Sequence, residues 1–292
     1  MIDKRIHIVR KGNREICKEN YFSIESENDL LYFTFDGLEK TGIVKHCFSS
    51  RLGGVSKEHL GTMNLSYTRG DEQENVDENY RRIARVLGCQ ADDIVCSDQT
   101  HTTNVRKVTT KDKGKGVITS RDYSDIDGLI TNEPGVVLAT FYADCVPLFI
   151  VDPVHRAIGL SHSGWRGTVN RMGAVTLQEM EREYGTRPED VQVAIGPSIC
   201  QTCYEVSRDV AEAFREAFPL QGENKKLLYQ KNEEKFQLNL WYANECVFRE
   251  AGVPKEQIEV TDICTCCNPD ILFSHRASKG MRGNLGAFLM LK

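Results

Sequence analysis

Residues 136–167 read VVLATFYADCVPLFIVDPVHRAIGLSHSGWRG. Three apolar runs lie in this stretch, Val136 to Tyr142, Leu148 to Val151 and Ala157 to Leu160, and each has the length and composition of a strand. Pro153 supplies a turn before the last of them. The stretch from Val136 to Val151 is too short to span a bilayer and is cut by Asp144 and Pro147, so it reads as core rather than membrane. Asp144 stands inside an otherwise apolar segment, where an uncompensated charge is costly. His162 follows the third run and leads into Gly164-Trp165-Arg166-Gly167, a strand-to-helix turn.

Outward from this block, strands and helices alternate. Downstream, Thr168 to Tyr184 is predicted as a helix ended by Gly185, Val191 to Ile195 as a strand, and Val206 to Phe218 and Leu238 to Ala251 as amphipathic helices. Between those helices Leu220 to Lys235 is charged and reads as a surface excursion. Upstream, Tyr32 to Phe35 and Val44 to Ser49 read as strands. Val76, Tyr80, Ile83 and Leu87 recur at three and four residues, which predicts a helix over 71–87 with Gly88 after its end. Ile94 to Cys96 and Asn104 to Val108 are short strands, and Lys111 to Asp125 reads as a mobile loop. Residues 258–291 hold a strand, a cysteine cluster and a Gly-rich tail. No linker or repeat divides the 292 residues. The expectation is one α/β domain with mixed sheets over 1–292, to which the residues up to about 40 add a strand region.

Composition narrows the function classes. The chain is 40% hydrophobic and 27% charged, an ordinary globular balance, with a net charge of −5. That sign argues against a nucleic-acid surface, which is usually basic. The N-terminus lacks the apolar core of a signal peptide, so a cytoplasmic protein is expected. Eleven cysteines, an odd number, suit reduced thiols or metal ligands better than a disulfide framework.

Three motifs supply soft or borderline ligands: Gln99-Thr100-His101, Ala143-Asp144-Cys145-Val146-Pro147 and Ser161-His162-Ser163. Two imidazoles and a thiolate are three ligands of a zinc site with its fourth position open, the pattern of a catalytic ion. The competing reading of Cys145 is a small buried hydrophobe. A second grouping competes as well. Cys200 and Cys203, and Cys264 and Cys267, each have CxxC spacing, and two such pairs make a four-thiolate structural zinc when they sit in short turns. His7, His46, His59 and His155 read as surface or structural, whereas His275 is a candidate pocket residue.

These residues belong to a wider set of motifs. It includes Ser50-Arg51-Leu52-Gly53-Gly54-Val55-Ser56, Asn64-Leu65-Ser66, Gly70-Asp71, Asp127-Gly128-Leu129-Ile130-Thr131, Ile195-Gly196-Pro197, Cys203-Tyr204-Glu205-Val206 and Cys264-Thr265. From about Lys45 to the C-terminus the chain resembles the YfiH/YlmD-like family, also called the laccase-domain or multicopper polyphenol oxidase family. The resemblance implies layered helices around two mixed sheets, α/β/β/α. It implies zinc held by His101, Cys145 and His162, and purine nucleoside phosphorylase activity with adenosine deaminase activity. Nucleosides such as adenosine, inosine or methylthioadenosine, together with phosphate, are the partners it implies, for a monomer or small homo-oligomer. Ser161, Ser163, His275, Cys266 and Cys267 depart from the common family pattern.

Each activity asks for particular side chains. Deamination by a zinc-activated water needs a carboxylate to carry the proton. Asp144 is the first candidate and Glu205 the second; Asp144 has the alternative role of orienting a metal-bound histidine. Phosphorolysis needs an anion site, for which Arg51 beside its glycine turn and Arg166 at a helix start are the candidates, ahead of Arg276 and Arg282. Asn64 and Gln99 complete the expected substrate residues. Two other chemistries compete. A multicopper oxidase needs about ten histidines and the chain has 7, although copper could occupy the single site. A cysteine hydrolase would use Cys145 as nucleophile and His162 as base.

Overall fold

The computed structural model describes residues 6–12, 16–23, 29–219 and 226–292. Two six-stranded mixed sheets stack face to face. The first contains β1 (Cys17–Phe22), β2 (Leu30–Phe35), β3 (Val44–Ser49), β4 (Ile94–Cys96), β7 (Val137–Tyr142) and β15 (Leu285–Leu291), in the order β1-β2-β3-β15-β7-β4. The second contains β5 (Val105–Lys107), β6 (Gly128–Thr131), β8 (Val146–Asp152), β9 (Ala157–Ser163), β10 (Gln192–Ile195) and β14 (Ile258–Val260), in the order β14-β10-β8-β9-β6-β5. Most pairs are antiparallel; β4 with β7, β5 with β6 and β10 with β14 are parallel.

The apolar runs of 136–160 explain the stacking. Side chains alternate across a strand, and here both faces of the central strands are buried. Leu138, Phe149, Val151, Ile158 and Leu160 meet between the sheets, together with Phe33, Phe35 and Phe48 from β2 and β3. Val137 and Ala139 face the other way, onto α2 (Gln73–Leu87), whose Val76, Tyr80, Ile83 and Leu87 cover the first sheet. Leu148 and Ile150 face α4 (Met172–Tyr184) and α6 (Leu240–Glu250) on the far side of the second sheet. The result is the expected α/β/β/α layering.

Further short elements are α1 (Asp36–Lys40), α3 (Trp165–Val169), α5 (Arg208–Ala217) and α7 (His275–Ser278), and a small antiparallel sheet of β11 (Glu205–Ser207), β12 (Leu228–Gln230) and β13 (Lys235–Leu238). No helix among the described residues is long and apolar enough to cross a membrane.

The structure departs from expectation in several places. The helix expected over 168–184 is broken: α3 starts earlier, and Arg171 takes a left-handed φ of 63° before α4 begins. Arg171 holds that turn by reaching Ala217 O and Glu250 and by lying over Phe218. The helix expected from Val206 starts at Arg208, because 205–207 pair as β11. The charged excursion contributes β12, and its last residue opens β13, so part of it folds back as a hairpin; residues 220–225 lie outside the described residues. The Gly-rich tail ends in β15, a central strand paired with both β3 and β7.

The 111–125 loop, expected to be mobile, is tied down. Arg121 donates to Ser97 O, Tyr123 to Cys96 O, and Lys115 pairs with Asp112 and Asp122.

Candidate metal centre and its cleft

His101, Cys145 and His162 come together at one edge of the sheets. Their ligating atoms all lie within 4.8 Å of one another, with Cys145 Sγ 3.9 Å from His101 Nε2. The imidazoles meet edge to face at 4.9 Å between centroids. His162 is buried at the end of β9 and His101 is exposed on the loop after β4. Cys145 lies in the tight turn joining β7 to β8.

Backbone conformation aims two of these loops. His101 has φ 67° and Asp144, next to Cys145, has φ 90°, both in the left-handed region that L-residues rarely occupy. Such strain persists only where the surroundings fix it and clusters at functional sites. At Asp144 the anchors are plain: its carboxylate accepts from Thr265 Oγ1 and from Arg276 N, each at 2.7 Å. Gly164 lets the ligands approach, since a Cβ there would lie 2.9 Å from His101 Cδ2 and 3.2 Å from Cys145 Sγ.

A residue the sequence reading left without a role organises the centre. Asp127, fully buried at the start of β6, accepts from His162 Nδ1 at 2.7 Å and from the amides of Thr100, His101 and Thr102. One carboxylate thus fixes the His162 tautomer, leaving Nε2 to face the cluster, and shapes the loop that carries His101. The available signal was an acid immediately before a buried strand, Asp127-Gly128-Leu129-Ile130-Thr131.

Electrostatics follow from this packing. Burial works against ionisation of Cys145, but the charge of His162 and hydrogen bonds with both imidazoles bring its thiol down to about 6. Burial likewise disfavours the His162 cation, yet Cys145 and Asp127 raise it to about 9. A thiolate and two imidazoles, with a carboxylate behind one of them, are donors that suit zinc or copper. His101, Cys145 and His162 would hold such an ion beside the cleft that all three line.

That cleft has a volume of about 780 Å³ and is lined by Tyr67, Tyr80, Tyr123 and Phe141, by the metal-ligand trio, and by Arg69, Arg121 and Arg282. Arg121 is paired with Asp98. Arg282 donates to Asn284, but its buried Nε finds no partner. Burial and the facing charge of Arg69 lower its guanidinium to about 10, against the pull of Asp144 and Cys145. Arg69 and Arg282 thus bring two positive charges to the lining of the cleft.

The other expected residues are placed as follows. Gln99 lines the cleft, its amide clasping both N and O of Phe141. Arg51 does not line it. Its guanidinium donates to Gly61 O and Pro269 O and lies over Phe273, and the amides of Leu52, Gly54 and Val55 beside it are spent on Ser50, Thr62 and Asn79. Arg166 is exposed and stacks on Trp165. Asn64 is buried, bonded to Ser66, Asp71 and Asn284. Glu205 pairs with Lys231 and Lys235. Arg276 is committed to Cys203 O and Glu205 O, and His275 is exposed at the start of α7. The carboxylate that orients His162 is Asp127, whereas neither hydrogen bond of the Asp144 carboxylate comes from an imidazole.

Comparison with known proteins gives a consistent set of similarities. Residues 45–292 match the family described as multi-copper polyphenol oxidoreductase laccase. The chain is 35% identical over 249 residues to the purine nucleoside phosphorylase YlmD of Bacillus subtilis (strain 168), covering 84% of this chain and 87% of that one. It is 34% identical over 250 residues to a purine nucleoside phosphorylase of Bacteroides thetaiotaomicron, covering 83% and 89%. Among solved structures, Bacillus licheniformis hypothetical protein YfiH superposes with a TM-score of 0.83 at 32% identity, over 93% of this chain and 99% of that one. YlmD of Geobacillus stearothermophilus superposes with a TM-score of 0.82 at 32% identity, over 93% and 98%.

Proposed function

The chain belongs to the multi-copper polyphenol oxidoreductase laccase family, and we propose that it is a zinc-dependent purine nucleoside phosphorylase with adenosine deaminase activity. The observation that carries this reading is one juxtaposition: a three-ligand metal centre and an arginine pair with an unpartnered Nε share one aromatic-lined cleft. The names of its relatives support the same reading. A cleft of about 780 Å³ lies within the usual range for small-molecule sites and accommodates a nucleoside with phosphate.

In this proposal Tyr67 and Phe141 flank the flat purine, and Arg282 with Arg69 hold phosphate by charge-assisted hydrogen bonds. A phosphate oxygen bonds to C1′ as the glycosidic bond breaks, and the purine leaves with the electron pair. Asp127 keeps His162 in one tautomer and aims its Nε2 at the centre. When bound, the ion supplies a Lewis acid with an open position. The protein's part is to hold the two reactants in line and to screen them from water. Arg282 and Arg69 replace Arg51 and Arg166 as the proposed anion residues, because the guanidinium of Arg51 is already committed and Arg166 is not in the cleft.

The test is product analysis with adenosine, in the presence and absence of phosphate, on metal-quantified protein and on His162→Ala. Free base and ribose 1-phosphate that require phosphate, lost together with the metal in His162→Ala, are expected. Inosine formed without phosphate is expected from the deaminase. No turnover of any purine nucleoside by zinc-loaded protein would overturn the reading.

One observation favours a second reading. Without metal, Cys145, His162 and Asp127 have the order of a nucleophile, its base and an orienting acid. Selective alkylation of Cys145 that zinc does not block would favour this cysteine hydrolase. Copper oxidase chemistry of the multicopper kind finds little support. Among the described residues only two histidines join a cluster of ligands, while His46 and His155 are bonded to Phe35 N and Asp152.

A further inference from the structure

We propose that Cys200, Cys203, Cys264 and Cys267 bind a second zinc ion, a structural tetrathiolate that braces the wall of the cleft. The four sulfurs lie within 4.8 Å of one another, with the Sγ atoms of Cys203 and Cys267 3.4 Å apart. Four thiolates at about 2.3 Å from a tetrahedral zinc stand about 3.8 Å apart, so the cage needs only small adjustments to close on the ion.

The topology builds this cage from two equivalent turns. Strands β10 and β14 pair in parallel, and just past their ends Ser198 and Cys264 form a further parallel bridge. Each chain then turns, Cys200-Gln201-Thr202-Cys203 on one side and Cys264-Thr265-Cys266-Cys267 on the other. Both CxxC pairs therefore sit in the short knuckle turns that tetrathiolate zinc requires. One backbone amide points at a sulfur: Cys200 N donates to Cys264 Sγ at 3.2 Å. Such N–H donors stabilise ligand thiolates. The Lys11 amine is close enough to Cys267, Cys200 and Cys203 to feel their charge, and its cation would offset part of the negative charge that four thiolates leave on a divalent ion. Tetrahedral sulfur ligation selects zinc or iron–sulfur centres, and a closed set with no open position is structural rather than catalytic.

The position gives the ion a task. Thr265, inside the second knuckle, donates to the Asp144 carboxylate, and Ile199 N donates to Asp144 O. Cys203 O accepts from Arg276, whose own amide also holds Asp144. Both knuckles thus clamp the strained residue next to Cys145. Cys266 lies in the same turn but outside the ligand set.

The experiment is elemental analysis of the full-length protein, made with zinc and purified under reducing conditions. It compares wild type, Cys145→Ser, the double variant Cys203→Ser/Cys267→Ser, and Cys266→Ser. The expected zinc content is about two per chain in wild type and Cys266→Ser, and about one in each of the others. One zinc retained in Cys145→Ser supports the tetrathiolate site even if the first centre holds none, so the two proposals fail separately. If the double variant does not fold, Cys145→Ser loaded with cobalt replaces it, and intense thiolate-to-cobalt charge-transfer bands with tetrahedral d–d bands are expected. A Cys145→Ser protein free of metal, or one whose Cys203 and Cys267 are recovered as a disulfide after reducing purification, would overturn the proposal; so would bound iron in place of zinc.

Discussion

At the scale of single residues, the centre depends on groups that touch the ligands as much as on the ligands. Asp127→Asn keeps the shape but puts an amide where a carboxylate accepts from His162 Nδ1 and three backbone amides. Loss of such a partner typically weakens metal binding by roughly 10- to 100-fold, and a zinc competition titration with a chelator should read a change of that size. An unchanged affinity would remove Asp127 from its positioning role. Arg282→Gln tests the anion pair. Losing a charge-assisted hydrogen bond of about 1.5–3 kcal/mol should raise the phosphate KM roughly ten- to hundredfold, with much less effect on the KM for the nucleoside. The same variant at Arg51 should leave the phosphate KM near that of wild type, because that guanidinium is spent on Gly61 and Pro269.

At the scale of elements, the β2–β3 pair carries a built-in acid sensitivity. His46, buried on β3, accepts the amide of Phe35 through Nε2 at 2.8 Å and must be neutral to do so. Burial, helped by Lys292, pushes its imidazole down to about 3. An unfolded histidine takes up its proton near pH 6.5, so between about 6.5 and 3 the unfolded state binds more protons. The His46 contribution is therefore complete above pH 6.5 and is lost as pH falls, by about 2 kcal/mol on reaching pH 5. His46→Gln, whose side-chain carbonyl can still accept the Phe35 amide, should flatten the fall in urea midpoint between pH 7 and pH 5; an unchanged slope would refute the assignment. Legibility in the sequence also divides by element. Helix α2 was readable because Val76, Tyr80, Ile83 and Leu87 form one apolar stripe and Gly88 ends it. Cys145 and His162 were readable because they interrupt or end apolar strands. The break at Arg171, the pairing of β11 with β13 and the docking of β15 between β3 and β7 were not, since each is fixed by distant partners. For the same reason Asp127 went unrecognised, and Arg69 and Arg282 are neighbours in space but not in sequence.

At the scale of the whole molecule, the proposed ligand trio comes together only because the two sheets hold their edges in register. His101 follows β4 of the first sheet, His162 ends β9 of the second, and Cys145 lies in the turn from β7 to β8 that passes between them. The interface between the sheets is therefore a distant part of the proposed metal centre. Phe149 lies in that interface, fully buried on β8, with its ring 5.4 Å from Phe35 and 6.1 Å from His46 across the layers. Phe149→Ala should cost about 3–5 kcal/mol, the usual range for emptying such a site. If the sheets fold as one cooperative unit, hydrogen exchange should accelerate equally in β3 and β15 of the first sheet and in β8 and β9 of the second. The metal should also leave at the same urea concentration at which both sheets exchange. Faster exchange confined to the second sheet, with the first unchanged, would mean that the sheets unfold separately. The centre would then be a junction between two folding units rather than the edge of one.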